Sequence, residues 1–253
     1  LKERLSSLAP LQILLPEFGQ DDYAGLYSHF MRLDQTATDK ILKPLLEIAV
    51  HEVAVGKVDK THPHWWANKY YGGIVPSSNI DKGILSIYIL NIVNVPKYQG
   101  VFQGAGLLHA YLEGQNIELM ANSDNVLRGG LTPKHIDVPE LIKNIKFEHI
   151  EPIIIEGTKP CMGESVYPAP TTDFGIATIK LDGSYAFEHE AQSLEMFLVA
   201  EGGCVVNNQL TIKTGEAFAV FPGASITLNS SGKALVYRAF VPSSVAYSQH
   251  EEN

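Results

Sequence analysis

The sequence predicts a mainly β protein with an N-terminal helical domain, and a change of hydrophobic period along the chain carries that prediction. Up to about residue 73 the apolar residues recur at helical spacing. From about Thr171 onward, eight short runs rich in β-branched and aromatic residues alternate with Gly or Asn-Asn turns. Strands at such near-regular spacing predict an antiparallel jelly roll, closed or sandwiched. Four segments follow: a helical domain over 1–75, a glycine-broken β region over 76–150, a connecting arm over 151–170 and a complete barrel over 171–253.

In chain order, "DDYAGLYSHFMRL" (21–33) opens with two acids suited to a helix N-terminus and carries apolar groups at 23, 26, 27, 30 and 31. "TDKILKPLLEIAVHEVAVGK" repeats the pattern through Ile41, Leu42, Leu45, Leu46, Ala49 and Val53, with Pro44 marking an uncertain or kinked start. "THPHWWANKYYGG" reads as a third helix, with Pro63 in its first turn and Gly72 at its end. "ILSIYILNIVNV" (84–95) is β-branched and apolar and predicts a strand. Short strands are expected from there to Arg128. "HIDVPELIKNIKFE" is a short helix with Asp137 and Glu140 in capping-box spacing.

The 253 residues are 45% hydrophobic and 19% charged, enough for two modest cores. With 28 acids against 19 bases and a net charge of −9, the composition argues against nucleic acid or an anionic membrane as main partner. No apolar run approaches the length that spans a bilayer, so a soluble, cytoplasmic protein is expected. Cys161 and Cys204 have neither CxxC nor CxxH spacing and are expected to be free thiols.

Chemistry concentrates in "GVFQGAGLLHAYLEGQNIELMANSDNVLRGGLTPKHID" (100–137). Taken as a hairpin turning at Glu113-Gly114, the stretch would pair His109 with Glu118 and place His109, Tyr111, Asn116 and Glu118 on one face. Four polar groups on one face suit a cavity wall better than a packed core. A lone strand histidine is ordinarily a hydrogen-bonded structural residue. Here, however, Gly106 and His109 stand in G-x-x-H spacing, which resembles the second half of a cupin metal motif. His62 and His64 form an H-x-H pair, but at a helix start, where capping is the ordinary explanation. In the C-terminal region "TGEAFAVFPGASITL" has a similar frame with Ile226 where a ligand would come. That barrel is therefore expected to be metal-free and structural; His189 and Glu195 hint at a decayed first motif, but are expected to be ordinary core or surface residues.

The run "HAYLEGQNIELMANSDNVLRGGLTPKHIDVPELI" resembles the type I, zinc-dependent mannose-6-phosphate isomerases. The resemblance implies two cupin barrels with a helical domain inserted in the first, which would be incomplete in this chain. It implies one zinc ion with His109 as its last ligand, a Gln, a His and a Glu being expected before Leu1. It further implies Glu118 as the proton-transfer carboxylate, Arg128 as the catalytic arginine, and Tyr111 and Lys134 as substrate-binding residues. Leu108 departs from the family, many members having Pro there. The implied reaction interconverts mannose 6-phosphate and fructose 6-phosphate through a cis-enediol, in a protein expected to be a monomer. The competing expectation is a truncated, non-catalytic cupin module that binds sugar or regulates.

Overall fold

Aspartates placed just before apolar periodic runs start three of the helices. The computed structural model describes residues 1–20, 22–123 and 126–242. Two units separate: Leu1–Asn94 with Gln103–Gln115 and Asn125–Pro152, and Val95–Phe102 with Asn116–Asp124 and Ile153–Asn253.

The first unit contains α1 (Lys2–Ser7), α2 (Leu15–Phe18), α3 (Tyr23–Arg32), α4 (Gln35–Ala54), α5 (Pro63–Tyr70), α6 (Gly83–Ile89) and α7 (Val138–Asn144). Asp22, Asp34 and Asp137 accept hydrogen bonds from the amides of Gly25, Ala37 and Glu140 at 2.7, 2.7 and 3.0 Å. Each satisfies an otherwise orphaned donor at the start of α3, α4 or α7. Asp21, also expected at the start of α3, lies outside the described residues. At the start of α5 the His62 ring accepts from the His64 amide, so this half of the H-x-H pair is a cap.

Pro44 does not break α4. It removes one hydrogen bond, a cost of about 3 kcal/mol in a helix interior. Burial of Ile41, Leu42, Leu45 and Leu46 contributes roughly 1.5–3 kcal/mol each, so packing prevails.

The strand expected over 84–95 is not formed: residues 83–89 are helix α6, and 90–95 have no regular structure. Ile84, Leu85, Ile87 and Tyr88 are all buried with α3, α4 and α5 around Leu26, Phe30, Leu42 and Leu45. A short apolar run that is buried all round carries no period to separate helix from strand, and the helical core decides.

The second unit is a β-sandwich. It contains β1 (Gln99–Val101), β2 (Ile154–Glu156), β3 (Glu164–Tyr167), β4 (Gly175–Leu181), β5 (Phe187–Glu190), β6 (Glu195–Glu201), β7 (Gly203–Val206), β8 (Leu210–Lys213), β9 (Ala217–Val220), β10 (Ser225–Asn229) and β11 (Ala234–Phe240). All eight strands expected after Thr171 are present as β4 to β11. Their order is β3-β4-β11-β6-β9 in one sheet and β5-β10-β7-β8 in the other. Ile179, Phe187, Phe197, Val199, Leu228 and Val236 fill the space between. The β7–β8 hairpin turns through residues 207–209, Val206 pairing with Leu210, and Asn207 and Asn208 both stand at positive φ (50° and 56°), which Asn tolerates better than most side chains.

The arm expected over 151–170 contributes β2, paired with β1, and β3, an edge strand on β4. Of the short strands expected between residue 84 and Arg128, only β1 forms among the described residues. Residues 243–253, expected to complete the C-terminal barrel, lie outside them.

Candidate functional site

The stretch 103–115 leaves no strand. The predicted hairpin pairing His109 with Glu118 is not formed, because neither segment makes a ladder. A two-stranded hairpin is marginal in water without further strands or a helix to pack on. The segment is instead tied to the helical unit. Leu108 and Leu112 pack on its core, and Glu113 bridges Lys60 and Lys69, each at 2.5 Å. Both ammonium groups also lie 5.2 Å from the Trp65 ring centroid. Hydrogen bonds from Lys60 first, then Lys69, hold the Glu113 carboxyl down at about 2, ionised at any physiological pH.

His109 is exposed, and its Nδ1 lies 3.0 Å from the Leu107 carbonyl oxygen. A carbonyl can only accept, so Nδ1 is the donor, and in the neutral ring the lone pair is on Nε2. That is the tautomer a metal-ligating imidazole adopts, with a backbone oxygen orienting the ring. The Tyr111 ring stands 6.2 Å from the His109 ring, edge toward face, and is 59% exposed.

Arg128 is half-buried, and Gly129 and Gly130 follow it onto the helical unit. A methyl group built on Gly129 would stand 3.6 Å from Leu108 Cδ2, so the Arg128 segment meets the His109 segment at Leu108. Leu108, the departure from the family pattern, is thus the packing contact between them. Asp124 and Asn125, which precede Arg128 in the chain, lie outside the described residues. Lys134 is exposed, on the loop before α7, where its amide donates to Thr132 Oγ1 at 3.2 Å. Glu118 is exposed in the second unit. The structure therefore brings together the segments of His109, Tyr111 and Arg128, and the sequence alone did not show the anchors, Glu113 and Leu108, that hold them.

Two recesses, of about 330 Å³ beside Met31, Gln35 and Lys82 and about 450 Å³ beside Tyr98, Lys180 and Tyr185, are lined by none of the predicted site residues. Among the described residues no three His, Cys, Asp or Glu side chains group to hold a metal ion. No described helix is long and apolar enough to cross a membrane.

No family model matches the chain. Mannose-6-phosphate isomerase of Escherichia coli is 38% identical over 164 residues, which cover 62% of this chain and 41% of that one. The chain is similar to the mannose-6-phosphate isomerases. A zinc-bound mannose 6-phosphate isomerase superposes with a TM-score of 0.71 at 25% identity, covering 93% of this chain and 58% of that chain. The Salmonella typhimurium enzyme bound to fructose 6-phosphate and zinc superposes with a TM-score of 0.73 over 96% of this chain and 62% of that one; at 24% identity that likeness bears on the fold. This fold is the cupin fold of those isomerases. The chain spans about two fifths of the length of the E. coli relative.

Proposed function

We propose that the polypeptide carrying this chain is an aldose-ketose isomerase that interconverts mannose 6-phosphate and fructose 6-phosphate. The observation that carries the proposal is the His109 ring, exposed and oriented by the Leu107 carbonyl with its Nδ1 as donor, in a chain similar to the mannose-6-phosphate isomerases. His109 fits a zinc ion as one donor through Nε2, and the described residues supply no further set of donors. When bound, zinc stabilises negative charge on substrate oxygens.

This chain's own residues have the following roles. The Glu118 carboxylate takes the proton from C2 of the aldose and returns it to C1, while the hydroxyl proton passes from O2 to O1 through the enediol, so that one C–H and one O–H bond are broken and one of each is formed. A positioned general base contributes on the order of 10²–10⁴-fold. The Arg128 guanidinium, permanently charged, holds the oxygen that becomes negative in the enediolate. Tyr111, on the same short segment as His109, and Lys134 bind the substrate, orienting its hydroxyls or its phosphate.

The decisive assay is conversion of mannose 6-phosphate by the complete, zinc-loaded polypeptide in D₂O. Turnover with deuterium appearing at C1 or C2 is expected. No turnover by zinc-loaded, folded protein sinks the proposal in favour of a non-catalytic cupin module. Two variants sharpen it. His109→Ala is expected to weaken zinc at least about 100-fold in a metal titration, with turnover falling in proportion. Glu118→Gln is expected to lower kcat on the order of 100-fold while zinc content stays at the wild-type level. Unchanged kcat would remove Glu118 from the proton path.

A further inference from the structure

Arg128 makes no side-chain hydrogen bond or ion pair with any described residue, so the backbone that follows it sets where the side chain is rooted and thus what its guanidinium can reach. Gly129 lies over the buried Tyr27 of α3: a methyl group there would stand 2.8 Å from Tyr27 Oη, with Leu108 and Leu141 at an ordinary 3.6 and 3.7 Å. Gly130, at φ 136°, lies on the backbone of Gly83 at the start of α6. A methyl group on Gly130 would stand 2.4 Å from Gly83 Cα, and one on Gly83 would stand 2.5 Å from Leu131 N. Asp81 Oδ1 fixes that side of the contact by accepting from the Gly83 amide at 2.7 Å. Backbone on backbone leaves room for neither a side chain nor water, which is why glycine stands at both positions. The segment carrying Arg128 cannot slide along the helical unit without breaking this contact.

We infer that Gly83, Gly129 and Gly130, seated on the Tyr27 side chain and the first turn of α6, are positioning residues for Arg128. None of them touches the reacting atoms; they set the height of the guanidinium beside the His109 segment, which meets the same spot through Leu108. The inference rests on the role proposed for Arg128. An error of about 1 Å in such a group costs up to about 100-fold in rate.

The test compares Arg128→Ala, Gly129→Ala, Tyr27→Leu and the Gly129→Ala/Tyr27→Phe double variant in the complete, zinc-loaded polypeptide. Gly129→Ala is expected to lower kcat at least about tenfold with KM and zinc content unchanged, the mark of an interaction made only in the transition state. Tyr27→Phe in that background removes the one atom the new methyl group strikes, so most of the lost kcat should return. Tyr27→Leu removes the floor beneath Gly129 without inserting anything, and should lower kcat in the same KM-neutral way. In the Arg128→Ala background, Gly129→Ala should cause no further loss. Wild-type kcat in both Gly129→Ala and Tyr27→Leu, with Arg128→Ala inactive, overturns the inference and leaves the role of Arg128 standing. Wild-type kcat in Arg128→Ala overturns that role and the inference with it.

Discussion

Replacing Arg238 with alanine is expected to destabilise the β-sandwich by about 3–5 kcal/mol, the cost of breaking a buried ion pair by removing one partner. Arg238 is 6% exposed on β11, between two carboxylates buried as deeply. Its Nε and Nη2 donate to Glu164 Oε1 of β3 at 3.1 and 2.7 Å, and its Nη1 donates to Glu195 Oε2 of β6 at 3.0 Å. His189 Nε2 of β5, in the opposite sheet, reaches the same Glu195 oxygen at 2.8 Å. Alanine leaves Glu164 and Glu195 without the charge that offsets their desolvation. Urea unfolding followed by tryptophan-independent circular dichroism at pH 7 measures the change, and a loss below about 1 kcal/mol would show that the cluster is not what holds the three strands. Exchanging Arg238, Glu164 and Glu195 together for Met and Leu should cost less than Arg238→Ala, because no charge is then left buried.

That cluster shows what the sequence discloses and what it conceals. His189 and Glu195, expected to be ordinary core or surface residues with a hint of a decayed motif, meet at 2.8 Å. The group that joins them is Arg238, from a strand of the barrel expected to be metal-free, and Glu164 comes from the segment expected to be an arm. One signal was available: in "ALVYRAF" the inward positions Ala234 and Val236 are followed at the same period by an arginine, and a charge on an inward face needs partners. The eight late strands were legible because alternation and turn residues agree, as at Asn207-Asn208. Helix α6 was not, since burial on all sides erased its period. The site divides in the same way. The motif singles out His109, Tyr111 and Arg128, whose roles are those proposed above, whereas the hairpin drawn through Glu113 and Gly114 is not formed. Alternation specifies a face and leaves the partner open, and here the partners are Lys60, Lys69 and the helical core.

Lowering the pH from 7 to 5 is expected to cost the helical unit about 2 kcal/mol through His64 alone. The ring is fully buried, with Nδ1 2.8 Å from Tyr88 Oη of α6. Burial pushes its pKa down from 6.5 to about 4, with the His62 ring in the same direction and Glu52 of α4, 3.6 Å from Nε2, opposing. Lys57 also lowers it, and Tyr88, held protonated by burial, supplies no charge. The folded state therefore keeps a neutral ring at pH 5, whereas the unfolded chain takes up a proton near pH 6.5. Between those two values the unfolded state binds more protons, so stability rises with pH. The contribution is fully present above about pH 6.5 and is lost as pH falls toward 4, about 3 kcal/mol in all for a shift of this size. His62, whose own pKa burial lowers, adds to the same trend. Glu52 is held below its usual range by its hydrogen bond to Lys57, so its contribution is lost only at still lower pH. Denaturant unfolding at pH 7 and pH 5, compared between the wild type and His64→Gln, isolates the effect. The glutamine keeps a polar group toward Tyr88 but has no proton to take up, so its two curves should lie closer together than those of the wild type by about 2 kcal/mol. Equal pH dependence in the two proteins would mean that His64 does not stay neutral in the fold.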